Sequence, residues 1–148
     1  MKKGLVVSDT GPIFSLAVVG QLEVLSLIFD EAIIPSAVWD EIVKYNGFPY
    51  QHAMLEYFKD KVREAKTNRA FGEVMDYGES EAVQLYLDFD ADYLLIDDKK
   101  ARRVAETFGL NCIGTLGILI FAKEIGHISS LRPVFLKLLE NKRFYSLE

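Results

Sequence analysis

The sequence predicts an α/β fold, a three-layer α/β/α sandwich with a central parallel sheet of about four to five strands. Three observations carry this expectation. Short apolar runs of strand length recur along the chain as GLVVSD, EAIIP, YLLI and LNCI. Between them lie segments whose apolar residues return at spacings of three and four, the period of a helix. The chain has 148 residues, half of them hydrophobic, which suits one domain over 1–148 with a real core and leaves no room for two. Strands joined through helices run parallel and are covered on both faces.

Each element has its own signal. The N-terminus carries two lysines and an apolar run, but Asp9 and Pro12 interrupt the run and no small-residue cleavage site follows, so GLVVSD reads as a first strand rather than a leader. TGP then supplies the turn and the start of a helix bearing Ile13, Phe14, Leu16 and Ala17. A short helix over QLEVLSLIF leads to the strand EAIIP, after which Ser36 is placed to cap a helix over AVWDEIVKY. The stretch 46–72 is more polar, contains Pro49, and includes an amphipathic helix over HAMLEYFKDKV. From Gly78 the alternation resumes with helix ESEAVQLYLDF, strand YLLI, helix KKARRVAETF, strand LNCI and helix GILIFAKEI. A last amphipathic helix over 129–142 places Leu131, Phe135, Leu138 and Leu139 at helical spacing.

Composition narrows the chemistry. No stretch reaches the roughly 20 uninterrupted apolar residues of a membrane span, so a soluble, cytoplasmic protein without a membrane partner is expected. The single cysteine, Cys112, forms no internal disulfide and reads as a core thiol. His52 and His127 stand far from each other and from Cys112, which excludes zinc-finger and His-based zinc chemistry. Any metal would be held by oxygen. The net charge of −5 and pI near 5.1 argue against nucleic-acid binding through overall charge, while leaving room for a local basic patch.

The acids are the informative residues, because in parallel α/β sheets ligands bind beyond the carboxyl ends of the strands. Asp9 follows the first strand, and Asp97 and Asp98 follow YLLI. Taken alone, Asp9 and Asp98 could equally be helix caps. Two glutamates fall on apolar helical stripes: Glu41 among Ala37, Val38, Ile42 and Tyr45, and Glu79 among Ala82, Val83, Tyr86 and Leu87. Asp40, about 100° around the helix, and Glu81, aligned with Gln84 and Asp88, read as surface charges. Carboxylates gathered in a core-facing position need protonation, an arginine or a cation, and hard oxygen ligands suit Mg2+ or Mn2+. Asp9, Glu41, Glu79 and one of Asp97 and Asp98 are therefore the expected metal ligands.

The ordered set VVSDTGPIFSLA, IIPSAVWDEIV, GESEAVQLYL, ADYLLIDDKKARRVAETFGL and GTLGILIFAKEIG resembles the PIN-domain family, and within it the VapC-like toxins of toxin–antitoxin pairs. The resemblance implies a metal-dependent ribonuclease with an acidic pocket at the sheet edge. It assigns Asp9, Glu41, Glu79 and Asp98 as the catalytic acids, with Asp97 as the alternative to Asp98, and Thr10 as the small polar residue after the first acid. Two departures from the family pattern stand out: Ile96 where a small hydroxyl residue is usual, and Glu rather than Asp at 79. RNA would meet Lys99, Lys100, Arg102 and Arg103, with Lys59, Lys61, Arg63, Lys66 and Arg69 as a second basic group; for most of these a solvated helix face is the simpler explanation. The family further implies a homodimer and a cognate antitoxin.

Other chemistries find less support. A haloacid-dehalogenase phosphatase needs a second aspartate where Gly11 stands, a receiver domain needs its acidic pair early rather than late, and no Gly-rich phosphate loop is present. The rival from another class is a PIN-like module that binds nucleic acid or protein with little catalysis.

Overall fold

A computed structural model describes residues 2–66, 77–141 and 143. Its elements are β1 (Leu5–Ser8), α1 (Thr10–Val18), α2 (Val24–Ile28), β2 (Glu31–Pro35), α3 (Ser36–Lys44), α4 (Gln51–Phe58), β3 (Val62–Arg63), α5 (Tyr77–Asp88), β4 (Tyr93–Leu95), α6 (Lys99–Thr107), β5 (Cys112–Ile113), α7 (Thr115–Glu124) and α8 (Arg132–Glu140). The five strands form a parallel sheet in the order β3-β2-β1-β4-β5. The expected α/β/α sandwich is thus observed.

Strand alternation divides the core into two layers. Val6, Ala32, Ile34, Leu95 and Ile113 point to one face, where they meet Ile13, Leu16, Phe58, Ile118 and Leu119. Val7, Ile33, Leu94 and Ile96 point to the other, against Ala82, Val83, Leu85, Ala101 and Ala105 of α5 and α6. Register follows from the same alternation. Val7 pairs with Ile33 on one side and with Leu94 on the other, so one face presents three buried apolar side chains in a row.

Several local expectations are corrected. Val62 reads as part of a helix over HAMLEYFKDKV, but that helix ends at Phe58 and Val62 opens a two-residue edge strand. The open edge of β2 offers backbone partners there, as in the 3.0 Å bond from Ile34 N–H to Lys61 O, and this outweighs helical periodicity. Ser36 does not cap α3; it is the first helical residue, Pro35 holds the cap position, and no side chain of the cap residue bonds the helix. Tyr45 lies just beyond α3 and is 56% exposed, so it leaves the apolar stripe assigned to it.

The opposite end of the sheet shows why Gly4 precedes the first strand. Its φ of +87° is left-handed, and a Cβ would clash with Asp92 Oδ2, the atom that accepts the Leu5 N–H. The start of β1 is thereby tied to the turn before β4.

Candidate functional site

The chain lays down β1, β2 and β3 outward in one direction, then returns to place β4 and β5 on the other side of β1. The topological switch point therefore lies between β1 and β4, and the crevice beyond their carboxyl ends is where such sheets bind ligands. Asp9 stands at the end of β1, and its N–H bonds Leu95 O of β4 at 2.9 Å. Although Asp9 occupies the cap position of α1, its side chain makes no capping bond. The residue is only 8% exposed. The commonplace explanation of this aspartate, a helix cap, thus does not hold. Next to it, Thr10 is buried and its Oγ1 has no hydrogen-bond partner among the described residues. A buried hydroxyl without a partner is costly and marks a place where a further polar group belongs.

Glu79 sits in the first turn of α5 and is 8% exposed, in keeping with its expected place on a buried stripe. An acid in the first turn also meets the positive end of the helix dipole. Glu41, in α3, is half-buried. The neighbouring face of α5 departs from expectation. Glu81 is half-buried rather than a surface charge, and its Oε1 accepts from Ala37 N–H at 3.3 Å, supplying the start of α3 with an acceptor that Ser36 does not. Gln84 is 4% exposed and donates to Asp88 Oδ1, whereas Tyr86 and Leu87, expected inside, are half-buried and Leu85 is fully buried. The cause is that α5 packs on α3 as well as on β1, β2 and β4, so a single apolar stripe does not describe it.

The adjacent acids after β4 diverge. Asp98 is exposed and caps α6, accepting from Ala101 N–H at 2.8 Å. Asp97 is half-buried and turns to α7, where Thr115 donates both its N–H, at 2.7 Å, and its hydroxyl, at 2.6 Å. Thr115 was not among the residues expected at the site. Its signal was present, a Gly-Thr pair directly after a strand and opening a helix.

The basic residues are mostly occupied locally or solvated. Lys99, Lys100 and Arg103 are exposed on α6, and Arg102 pairs with Glu106 at 3.4 Å. In the second group, Lys59 pairs with Glu56, Lys61 lies over the Tyr57 ring, Arg63 bonds the carbonyls of Asp60 and Val62 and pairs with Glu31, and Lys66 is exposed; Arg69 lies outside the described residues. A cation that sequence reasoning missed is Arg143. It reaches the first turns of α1, donating from Nη2 to Gly11 O at 2.8 Å and from Nε to Ser15 Oγ at 3.0 Å.

Among the described residues the candidate donors, the carboxylates and the Thr10 hydroxyl, are all oxygen, which suits a hard divalent ion. Among the described residues no three Asp, Glu, His or Cys side chains converge closely enough to hold one ion. Asp97 and Asp98 each accept from a nearby donor, Thr115 and Ala101 respectively. By chemistry, hard carboxylate oxygens such as those of Asp9, Glu41, Glu79 and the β4 acid fit a magnesium-type ion. Among the described residues no helix is long and apolar enough to cross a membrane.

Comparison with known proteins agrees with this architecture. No curated protein matches the chain. A solved structure, a PilT N-terminus domain protein, SSO1118, from the hyperthermophilic archaeon Sulfolobus solfataricus P2, superposes with a TM-score of 0.60 over 80% of this chain and 92% of that one, at 19% identity. That likeness speaks to the fold alone. The family model DUF3368, described as a PIN domain, matches residues 5–148. The chain therefore belongs to the PIN-domain family, whose members are generally nucleases that use divalent metal ions.

Proposed function

We propose that this protein is a metal-dependent ribonuclease that hydrolyses RNA phosphodiester bonds, acting as the VapC-like toxin of a toxin–antitoxin pair. The observation that carries the reading is Asp9: a buried aspartate at the topological switch point, making no side-chain cap bond to its own helix and adjacent to a buried hydroxyl with no partner among the described residues. Asp9, Glu41 and Glu79, with Asp97 or Asp98, would hold Mg2+ or Mn2+. When bound, such an ion neutralises phosphate charge, activates a water and stabilises the leaving oxygen of an in-line displacement. The carboxylates orient and hold; they do not attack. Thr10 adds a buried hydroxyl next to Asp9, and Lys99, Lys100, Arg102 and Arg103 would give RNA phosphates a positive approach. A homodimer is part of the same reading, with exposed Leu27 of α2 and Leu136 and Leu139 of α8 available to a second copy.

The test is cleavage of labelled single-stranded RNA in Mg2+, Mn2+ or EDTA, with Asp9→Asn in parallel. Cleavage that needs metal and falls at least about 100-fold in the variant supports the nuclease. A second reading, a PIN-like module that binds nucleic acid or protein without catalysis, draws on the engagement of both Asp97 and Asp98 by nearby donors. It becomes the better one if wild type and variant are folded, equally inert on several RNAs and equally able to bind them.

A further inference from the structure

Asp97 is gripped from an element that follows it by 18 residues. Thr115 N–H donates to its Oδ1 and the Thr115 hydroxyl to its Oδ2, at 2.7 and 2.6 Å, one donor for each oxygen. Thr115 is fully buried, so its hydroxyl has no solvent alternative. Gly114 allows the approach. A Cβ at 114 would lie 3.0 Å from Asp97 Oδ1, tighter than ordinary contact, while its φ of −103° is open to any residue. The missing side chain thus serves the carboxylate rather than the backbone. Arg102 Nη1 would stand 3.4 Å from the same Cβ, so positive charge borders the cradle. Asp98 has the opposite surroundings: it is exposed and spent on the α6 cap.

We propose that Thr115, admitted by Gly114, is the positioning residue of the candidate site, holding Asp97 as its β4 acid and leaving Asp98 as a helix cap. The inference rests on the nuclease reading and selects between two acids that the reading leaves open. A carboxylate offers about four lone-pair sites. Two donors from Thr115 occupy one on each oxygen, fix the plane of the group and leave the remaining positions for a cation. Donors of this kind behind a metal ligand are worth about 10–100-fold in metal affinity or activity.

The experiment measures the Mn2+ dissociation constant by calorimetry, together with RNA cleavage and melting temperature, for wild type, Thr115→Val, Thr115→Ser, Asp97→Asn and Asp98→Asn. Thr115→Val is expected to raise the Mn2+ dissociation constant about 10-fold or more, with Thr115→Ser restoring it to within about threefold of wild type. Asp97→Asn is expected to lose most Mn2+ binding. Asp98→Asn is expected to bind Mn2+ like wild type and to melt near it, since Asn caps helices as well as Asp. The inference is overturned if Thr115→Val, still folded, binds Mn2+ as wild type does, because a merely structural threonine moves only the melting temperature. It is equally overturned if Asp98→Asn loses Mn2+ binding and Asp97→Asn keeps it. If wild type itself neither binds Mn2+ nor cleaves RNA, the nuclease reading falls and takes this inference with it, an outcome distinct from the other two.

Discussion

Arg143→Ala tests whether the C-terminal side of the fold supports the helix that begins at the candidate site. Arg143 follows α8, and its backbone N–H bonds Leu138 O at 2.8 Å, a contact that survives substitution. The side chain supplies the rest: Nη2 to Gly11 O at 2.8 Å and Nε to Ser15 Oγ at 3.0 Å. A hydrogen bond from a charged donor contributes about 1.5–3 kcal/mol when well buried. Arg143 is half-buried and solvent screens it, so about 1 kcal/mol for each bond is the fitting scale, roughly 2 kcal/mol in all. For a domain of this length that corresponds to a melting temperature lower by about 4–8 °C. Circular dichroism melts read this directly. Arg143→Lys offers one compact ammonium where the guanidinium spans two acceptors, and is expected to lose roughly half as much. An Arg143→Ala protein melting within about 1 °C of wild type would refute the reasoning and show that the contact adds nothing to stability.

Two further predictions concern the core. Phe58 is fully buried at the end of α4 and meets Tyr57 edge-on at 4.8 Å, so Phe58→Ala is expected to cost about 3–5 kcal/mol in urea unfolding, and a loss below about 1 kcal/mol would mean that the site collapses to fill the cavity. Burial, with a smaller contribution from the Glu106 carboxylate, pushes the Cys112 thiol up to about 11 against the partly opposing Arg102. Native protein at pH 8 should therefore react slowly with a disulfide reagent and rapidly once unfolded; equal rates would contradict this placement. The sign of the linked stability follows from the raised value. The folded state holds this proton more tightly, so the contribution is full below the ordinary thiol value near 9 and is lost as pH rises from there through about 11.

Much of the fold was legible because it is written in local periodicity. The apolar pairs Val6 and Val7, Ile33 and Ile34, and Leu94 and Leu95 announce strands buried on both faces, and all six are buried. The edge strand Val62–Arg63 was not legible, since two residues carry no period and their strand geometry depends on a free edge of β2. The burial of Glu79 was legible in its stripe, whereas Glu81 was misjudged because the same helix packs on α3 through a second face. Asp9 and Asp98 looked alike as possible caps; only Asp98 is one.

The sequence by itself determined that acids stand just after the first strand and after YLLI, that the expected metal-ligand chemistry is oxygen, and that helices separate parallel strands. These are statements about neighbours along the chain, and side-chain chemistry and hydrophobic period suffice for them. The tertiary structure decided which of two adjacent aspartates is held by Thr115, that Glu81 rather than Ser36 serves the start of α3, and that Arg143 reaches Ser15 across 128 residues. Such pairings depend on which elements pack together and in what register, and a one-dimensional pattern does not encode the distance between residues that the chain brings together only by folding.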